Sequence, residues 1–404
     1  MIPPGAALSV PILATHDEAV AAAHAVAEAI ADGVVERDRA GAEAVPREAL
    51  GVLDRSGLLG ITVPRADGGP ELGPVTLTEV TRVIAAVDPA IAQVPQAHFL
   101  FADVLAVWGT EEQRARLFAD VLAGARIGNA LAERGGKHAQ DLKTRVRGGV
   151  LDGTKYYCTG ALTARWIAVS ALDADQGDRL VAAFVERDAP GVTVDTDWDV
   201  LGQRATISGT TTFDGVALDP ALLLDYARAY EVPQQLGARA QLVHAAIEVG
   251  IAGGALRDAR AYLRDKARPS TEAVREGAVA AADDPHVLHR YGRAATRVRA
   301  AEALLADAAA TLEAIGLVPA DAAAAARGSL AVAGAKAFAS EVAVEVGSEL
   351  FQMAGTSSTA TKYDLDRHWR NARTHSVHDP LDWKYHHVAA YELGDVLPPN
   401  HGQL

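Results

Sequence analysis

The chain has 404 residues, which is enough for two or three domains that share a large hydrophobic core. Its formal net charge of −14 argues against nucleic-acid binding, because phosphate backbones are bound by basic surfaces. A mean hydropathy of +0.06 without a long uncharged apolar run argues against a membrane span, and a single cysteine favours a reducing, cytoplasmic setting.

The first 125 residues carry the signals of α-helices. Thr15 and Glu18 have the spacing of a capping box, in which the two side chains bind the free backbone N–H groups at a helix start. Thr110 and Gln113 repeat the signal, and apolar residues at helical spacing follow both pairs. We therefore predict a helical N-terminal domain over residues 1–125.

The period of the apolar residues changes to two between residues 126 and 232. Strand-like runs such as Leu180–Val185 are separated by turn-forming pairs, which include Gly148-Gly149, Asp152-Gly153 and Asp214-Gly215. This pattern predicts a small antiparallel β domain over residues 126–232, inserted between two helical segments.

Long helices are predicted again from residue 233 onward. Gln235–Lys266, Tyr291–Ile315 and Ala322–Met353 carry apolar stripes with many alanines. Ala267–Pro285 contains prolines and a glycine and is predicted to be a loop. Successive long helices predict a bundle over residues 233–404, and their small side chains also suit contacts between subunits.

The segment Asp366–Pro380 concentrates ionisable residues near the end of the chain. It contains three arginines, three histidines and two aspartates beside one tryptophan. Such a density of charge is costly near a packed core unless partners are present. A phosphate-bearing cofactor and an ionisable reaction centre would supply partners, whereas a solvated helix end with scattered charge is the simpler alternative.

Sequence motifs of several other enzyme classes are absent. The chain contains no cysteine and histidine spacing of a metal site, no glycine-rich loop after a strand and no Gly-x-Ser-x-Gly turn. Metal-dependent enzymes, the usual nucleotide-binding folds and serine hydrolases therefore gain no support.

The ionisable segment resembles the acyl-CoA dehydrogenase family. That family carries Arg-Asp-Ala-Arg/Lys followed by Tyr-Glu-Gly-Thr, whose glutamate removes the substrate α-proton; here Arg370-Asn371-Ala372-Arg373 and His378-Asp379-Pro380 take these places. This motif is similar to that of the flavin-dependent monooxygenase branch of the family, which includes enzymes of sulfone and sulfonate metabolism. The resemblance implies an α+β fold, with a helical N-terminal domain, a β-barrel-like middle domain, a C-terminal four-helix bundle and a homotetrameric assembly.

The resemblance implies a flavin site at the start of the middle domain. Asn129 takes the place of a residue that holds the flavin pyrimidine edge, and a carboxamide suits that edge because it both donates and accepts. Thr159 takes the place of a hydroxyl near flavin N5, and Trp166 is expected at the edge of the ring. Without the resemblance, Asn129 is a turn residue, Thr159 a strand residue and Trp166 a core aromatic.

A second group of residues is implied to bind the remainder of the flavin. Arg268 and Arg370 are expected at the phosphate, because a guanidinium meets phosphate oxygens with two parallel bonds. The other expected contacts to the ring or phosphate are Gly355, Ser357 and Asn371. The paired glycines that seat the adenylate half of FAD in the dehydrogenases read Ala354-Gly355 here, which favours FMN and leaves FAD as the alternative.

The catalytic residues that the resemblance implies are His98, His378 and Asp379, together with Thr159. A histidine at the position of His98 faces the reactive side of the flavin in this branch, although a buried structural histidine is the usual alternative in an apolar helix. Asp379 is one methylene shorter than the dehydrogenase glutamate and is therefore poorly placed as an α-proton base. His378, oriented by Asp379, suits proton delivery to a C4a-hydroperoxyflavin.

The predicted function is that of a two-component flavin-dependent monooxygenase. It would take reduced FMN from a separate NAD(P)H:flavin reductase and oxygenate a heteroatom, preferentially sulfur, of a small organic substrate. One alternative is an acyl-CoA dehydrogenase that holds FAD and uses Asp379 as its base. Two others are an amine N-hydroxylase with the same oxygen chemistry and a flavin-free scaffold.

Overall fold

The computed structural model describes residues 10–137, 141–401 and 404. Its N-terminal part is built from helices that are mostly short. They are α1 (His16–Ala31), α2 (Val34–Ala40), α3 (Arg47–Asp54), α4 (Pro74–Ala85), α5 (Pro89–Gln93), α6 (Gln96–Trp108) and α7 (Glu111–Leu122).

Local sequence explains where several of these helices begin. The Thr15 and Glu18 capping box precedes α1, and the Thr110 and Gln113 capping box precedes α7, so both predicted helix starts are confirmed. The side chain of Asp88 accepts the first backbone N–H groups of α5. The segment Pro89–Trp108 has the length and hydropathy of a membrane span, but most of it is buried within the protein, as expected of core helices.

A mixed β-sheet follows the first helices. Its strands are β1 (Ile127–Ala130), β2 (Arg145–Arg147), β3 (Val150–Lys155), β4 (Trp166–Asp173), β5 (Arg179–Glu186), β6 (Val192–Val194), β7 (Thr211–Ala217) and β8 (Leu223–Leu224). The strand order is β6-β7-β3-β2-β4-β5-β8, with β1 paired to β4. Most pairs are antiparallel as predicted, but β1 and β2 both run parallel to β4, so the purely antiparallel prediction is wrong.

Two of the predicted turns lie inside strands. Gly148-Gly149 forms the predicted turn between β2 and β3, but Asp152-Gly153 belongs to β3 and Asp214-Gly215 to β7. The register between β3 and β7 shifts from Leu151 to Gly153, which is the signature of a β-bulge. The Asp152 carboxylate accepts the backbone N–H of Gly215 at 2.8 Å, so these turn-forming residues stabilise an irregular strand pair.

The C-terminal part is a bundle of long helices, as predicted. Its helices are α8 (Arg228–Glu231), α9 (Leu236–Asp265), α10 (Thr271–Arg275), α11 (Pro285–Ile315), α12 (Ala322–Ala354), α13 (Arg367–Ser376) and α14 (Leu381–Gly394). The predicted loop Ala267–Pro285 contains the short helix α10, which Ser270 caps through its hydroxyl.

Helix α9 joins the N-terminal helices to the bundle. Apolar residues of α1, α4, α9, α11 and α12 form one continuous core. A methyl group on Gly250 would lie 2.5 Å from the Cβ of Ala85, and one on Gly254 would lie 2.4 Å from the carbonyl oxygen of Ala86. The two glycines therefore let α9 lie directly against α4, which fixes the position of the polar face described next.

Candidate active site

Helix α9 buries a row of polar side chains inside an otherwise apolar interior. Gln241, His244 and Glu248 follow one another at spacings of three and four residues, which places them on one face of the helix. All three are buried. Buried polar groups of this kind require partners, and they find them on α12 and α13.

A hydrogen-bonded chain runs from Glu248 to His244 through His375. The Nδ1 atom of His375 lies 2.8 Å from Oε1 of Glu248, and its Nε2 atom lies 3.0 Å from Nδ1 of His244. Ser340 on α12 donates its hydroxyl to the same Glu248 oxygen at 3.3 Å. The end of α13 is therefore tied to α9 by buried ionisable groups.

His378 lies next to the hydrogen-bonded residues Glu248, His375 and His244, on their exposed side. Its ring packs on the ring of His244 with centroids 4.3 Å apart and an interplanar angle of 35°. Its Nδ1 atom is 3.4 Å from Oδ2 of Asp379. The side chain of His378 is 46% exposed, whereas Asp379 and the residues of the chain behind it are buried. His378 is thus the member of the group that can reach a bound molecule.

Asp379 is held by two buried lysines. Lys336 on α12 bonds to the Asp379 carboxylate and to the side-chain oxygen of Gln241, and Nζ of Lys384 lies 3.8 Å from Asp379. Burial alone would raise the pKa of Asp379, but the bond to His378 and the two ammonium groups hold it well below its usual value. Asp379 is therefore ionised, and it has little capacity to accept a proton.

The structure also brings predicted flavin-contacting residues of the middle domain together. The backbone N–H of Asn129 donates to the carbonyl of Thr159 at 3.0 Å. The Asn129 carboxamide oxygen accepts the N–H of Leu131 at 3.0 Å, and its nitrogen lies 3.4 Å from the carbonyl of Tyr157. Asn129 and Thr159 are half-buried, so both remain accessible from one side.

A polar connection links the middle domain to α13. The Thr159 hydroxyl lies 2.7 Å from that of Ser208, which lies 2.8 Å from that of Thr206. Thr206 donates to the carbonyl of Gln203, whose N–H donates to Oδ1 of Asn371 at 2.5 Å. Thr159 and Asn371 therefore belong to one hydrogen-bonded path between the sheet and the helix that carries His375.

His98 is a buried histidine whose two ring nitrogens both bond to the backbone. It is fully buried, its Nε2 atom lies 2.9 Å from the carbonyl of Leu59, and its Nδ1 atom accepts the N–H of Ile127 at 3.2 Å. Burial lowers the pKa of His98 to about 4. A neutral ring with both nitrogens bound to backbone is structural, so a direct catalytic role for His98 is not supported.

We expect His98 to make stability depend on pH. Below pH 6.5 the unfolded chain binds a proton at this histidine, while the folded chain does so only near pH 4, so stability falls as pH falls through that window. The contribution is roughly 3 kcal/mol. Urea unfolding of wild type and His98→Gln at several pH values should show a shallower slope in the variant. Equal slopes would contradict the assignment.

Trp166 is likewise a core residue. It is 1% exposed, and its indole N–H donates to Asp120 at 2.8 Å, with Arg116 and Arg165 beside the ring. The side chain is enclosed by the protein and has no face left for a flavin. The prediction that Trp166 stacks at the flavin edge is therefore not supported. The structure supports the alternative, in which Trp166 is a core aromatic.

The predicted phosphate contacts fall into two groups. The guanidinium of Arg370 is already paired with Asp38, Asp364 and Asp366, so the structure does not support Arg370 as a free phosphate ligand. Arg268 is exposed and remains a candidate. Gly355 and Ser357 are also exposed, at the end of α12, where the hydroxyl of Tyr262 donates to Ser357 at 2.9 Å.

Three family models match the chain in succession. They describe the acyl-CoA dehydrogenase N-terminal domain (residues 14–125), middle domain (130–216) and C-terminal domain (242–383). The chain belongs to the acyl-CoA dehydrogenase family. Its predicted fold is thereby confirmed.

Relatives place this acyl-CoA dehydrogenase family member in the flavin-dependent monooxygenase branch. A dibenzothiophene monooxygenase of Rhodococcus erythropolis is 35% identical over 408 residues, which cover 95% of each chain. FMN-bound TdsC from Paenibacillus sp. A11-2 superposes with a TM-score of 0.89 at 30% identity, over 96% of this chain and 100% of TdsC. Methanesulfinate monooxygenase MsuC from Pseudomonas fluorescens gives 0.87 at 31% identity, over 95% and 99%.

Most of the buried partners in this family member's site are not predicted from its sequence. Gln241, His244 and Glu248 share one face of α9, and Lys336 and Ser340 share one face of α12. Polar residues at spacings of three, four and seven on an Ala-rich helix were a usable signal, since such helices rarely bury them without a purpose. Which residues of the two faces contact each other could be seen only in the tertiary structure.

Proposed function

We propose that this flavin-dependent monooxygenase binds reduced FMN delivered by a separate NAD(P)H:flavin reductase and oxygenates the sulfur of a small organic molecule. The relatives support the proposal by what their names state: dibenzothiophene and methanesulfinate are both sulfur compounds, and TdsC binds FMN. Because those two substrates differ greatly in size, the similarity supports sulfur as the reacting atom and leaves the rest of the molecule open.

The residues present fit FMN. The half-buried Asn129 amide offers donors and acceptors to a pyrimidine edge, and the half-buried Thr159 hydroxyl could bond near N5. The neighbouring Tyr157 is 48% exposed. Arg268, which is exposed, offers a cation for a phosphate. Bound reduced FMN would supply the electrons that activate O₂.

The observation that carries the proposal is the contrast between Asp379 and His378. A dehydrogenase needs a carboxylate that is free to take the substrate α-proton, but Asp379 is buried and bound to Lys336. His378 is exposed on one side. Partial burial lowers its pKa, and the Asp379 carboxylate behind it opposes that effect by favouring the protonated form. The site is therefore suited to giving a proton rather than removing one from carbon.

In the proposed reaction the protein positions groups and controls one proton. His378 would donate its proton to the oxygen that leaves as water, and Asp379 would orient the imidazole through Nδ1. The buried side chains behind His378 exclude water from that side of the ring. The substrate supplies a sulfur lone pair, so no substrate C–H bond has to break.

Two measurements separate this function from the dehydrogenase alternative. Aerobic mixing with a flavin reductase, NADH, FMN and a panel of sulfides, sulfones, sulfinates and amines should give oxygenated sulfur products. Anaerobic mixing of the flavin-loaded protein with acyl-CoA should leave the oxidised flavin spectrum unchanged. Bleaching of the flavin by acyl-CoA would indicate a dehydrogenase. Oxygenation of amines alone would indicate that the enzyme oxygenates nitrogen and not sulfur.

Arg268 and Arg370 should respond differently to substitution. We expect Arg268→Ala to weaken FMN binding about 10- to 100-fold, the range for a lost charge-assisted contact, without loss of stability. Arg370→Ala should instead lower the free energy of unfolding, because it leaves Asp38 and Asp364 without their shared cation. Flavin titration and urea unfolding of both variants test this, and unchanged FMN affinity in Arg268→Ala would remove Arg268 from the site.

We also propose that the chain forms a homotetramer. Helix α14 buries few of its side chains, and Trp383, Tyr385 and Leu393 are 58%, 40% and 89% exposed. A helix that exposes large apolar side chains is suited to contact with a second copy of the chain. Light scattering should give a mass of four chains, and a stable, active monomer would contradict the proposal.

A further inference from the structure

Glu248 is a buried carboxylate on α9 that takes no part in the proposed reaction. It lies one helical turn beyond His244 on α9 and is completely buried. Its Oε1 atom is bonded to His375 and Ser340, while Oε2 has no hydrogen-bond partner within the described residues. A buried carboxylate that is only partly bonded is costly, unless its negative charge stabilises a nearby positive charge.

Two hydrogen bonds connect the Glu248 carboxylate to His244 through His375, and they fix the orientation of the His244 ring. The nitrogen of His375 that faces Glu248 is Nδ1, so it carries a hydrogen, and a single hydrogen lies between Nε2 of His375 and Nδ1 of His244. Burial, followed by the neighbouring His378, Lys336 and His375, lowers the pKa of His244 well below its usual value. His244 is therefore a neutral ring whose orientation is fixed from the Glu248 side.

His378 stacks on that ring in a surplus of positive charge. The ionisable groups that surround it come from every element packed there: His244, Lys336, His375, Asp379, Lys384 and, beside Lys384 and Asp379, His401. The ammonium groups of Lys336 and Lys384 both lie near the single carboxylate of Asp379. A proton on His378 would be disfavoured by this field, and Glu248 supplies the second buried negative charge that opposes it.

We propose that Glu248 is a positioning residue for His378: acting through His375 and His244, it fixes the ring on which His378 packs and increases the proton affinity of His378. The inference rests on the role given to His378 in the proposed function. It adds a buried part of the site on α9, behind His375 and His244. Neutralising Glu248 should therefore change the proton affinity of His378 without changing flavin binding.

NMR of ¹³Cε1-labelled histidine in the flavin-free full chain tests this without any enzymatic assay. The chain has 13 histidines, and His378→Asn identifies the signal of His378 by its loss. Glu248→Gln should lower the pKa of His378 by roughly one pH unit, the size expected for one buried charge removed a few side chains away. Glu248→Asp, which keeps the charge, should recover most of that shift. An unchanged pKa in Glu248→Gln overturns the proposal.

A second measurement covers the case in which Glu248→Gln fails to fold. In the wild-type protein the His244 signal should keep the shift of a neutral ring between pH 5 and 8, and titration of His244 near pH 6.5 would overturn the proposal. Neither measurement needs flavin or substrate, so failure to oxygenate sulfur would defeat the proposed function and leave this result in place. In the active enzyme, Glu248→Gln should move the pH profile of product formed per O₂ to lower pH.

Discussion

Replacing His378 with asparagine is expected to separate oxygen consumption from substrate oxygenation. The variant keeps the Asn129 and Thr159 region and the buried lysines, so it should fold and bind reduced FMN. It lacks the exposed imidazole that we assign as the proton donor, a contribution typically worth about 10²- to 10⁴-fold in rate. Oxygen should then be released as hydrogen peroxide, which is measured together with O₂ uptake and oxygenated product.

His289→Asn is the matched control for this prediction. His289 is exposed on α11, whereas the buried network described above is formed by residues of α9, of α12 and of the segment from α13 to α14. The same chemical change there should leave the ratio of product to O₂ unchanged. If His378→Asn kept full coupling while Asp379→Asn abolished turnover, the proton donor would be wrongly assigned and a carboxylate base would be indicated.

Replacing Lys336 with methionine is expected to cause the largest loss of stability. Lys336 is 0% exposed, and its ammonium group is bonded to Asp379 and Gln241. Methionine fills a similar volume but leaves a buried carboxylate without its main counter-charge, which typically costs about 3–5 kcal/mol. Lys384 remains 3.8 Å from Asp379, so the lower end of that range is expected. Urea unfolding at neutral pH measures the change.

The double variant Lys336→Met/Asp379→Asn tests the cause of that loss. If the cost arises from an unpaired buried charge, neutralising Asp379 in the Lys336→Met background should restore part of the stability. The pH dependence follows the same reasoning. The folded protein lowers the pKa of Asp379, so the ionised carboxylate stabilises the fold at pH values above the pKa that Asp379 has in the unfolded chain. This stabilisation is lost in acid. Lys336→Met should move the loss to higher pH, because it removes a cation that lowers this pKa. Additive losses in the double variant would show that the pair does not interact.

The sequence predicted those parts of the structure that depend on short-range chemistry. The capping boxes at Thr15 and Thr110 mark helix starts because each cap involves residues three positions apart. The long helices α9, α11 and α12 were predicted because their apolar stripes persist over many turns. The predicted turn at Asp152-Gly153 is a bulge within β3, because aspartate and glycine are favoured in turns and bulges alike.

The site was predictable only in part, for a reason that concerns burial. His378 and Asp379 are adjacent in sequence, so their pairing could be anticipated, and the structure places them together. The predicted flavin contacts of His98 and Trp166 are not supported by their burial, because local sequence does not reveal which face of a segment meets the core. Glu248 and His375 are 127 residues apart, and their contact depends on the packing of α9 against α13.

The fate of ¹⁸O₂ tests the central claim most directly. The enzyme, reduced FMN and an organic sulfide are mixed under ¹⁸O₂, and the sulfur product and hydrogen peroxide are analysed by mass spectrometry. A monooxygenase that oxygenates sulfur should place one ¹⁸O atom in the sulfoxide for each reduced flavin consumed productively. Recovery of all the label as hydrogen peroxide and water across sulfides, sulfones and sulfinates, with bleaching of the oxidised flavin by acyl-CoA, would contradict it.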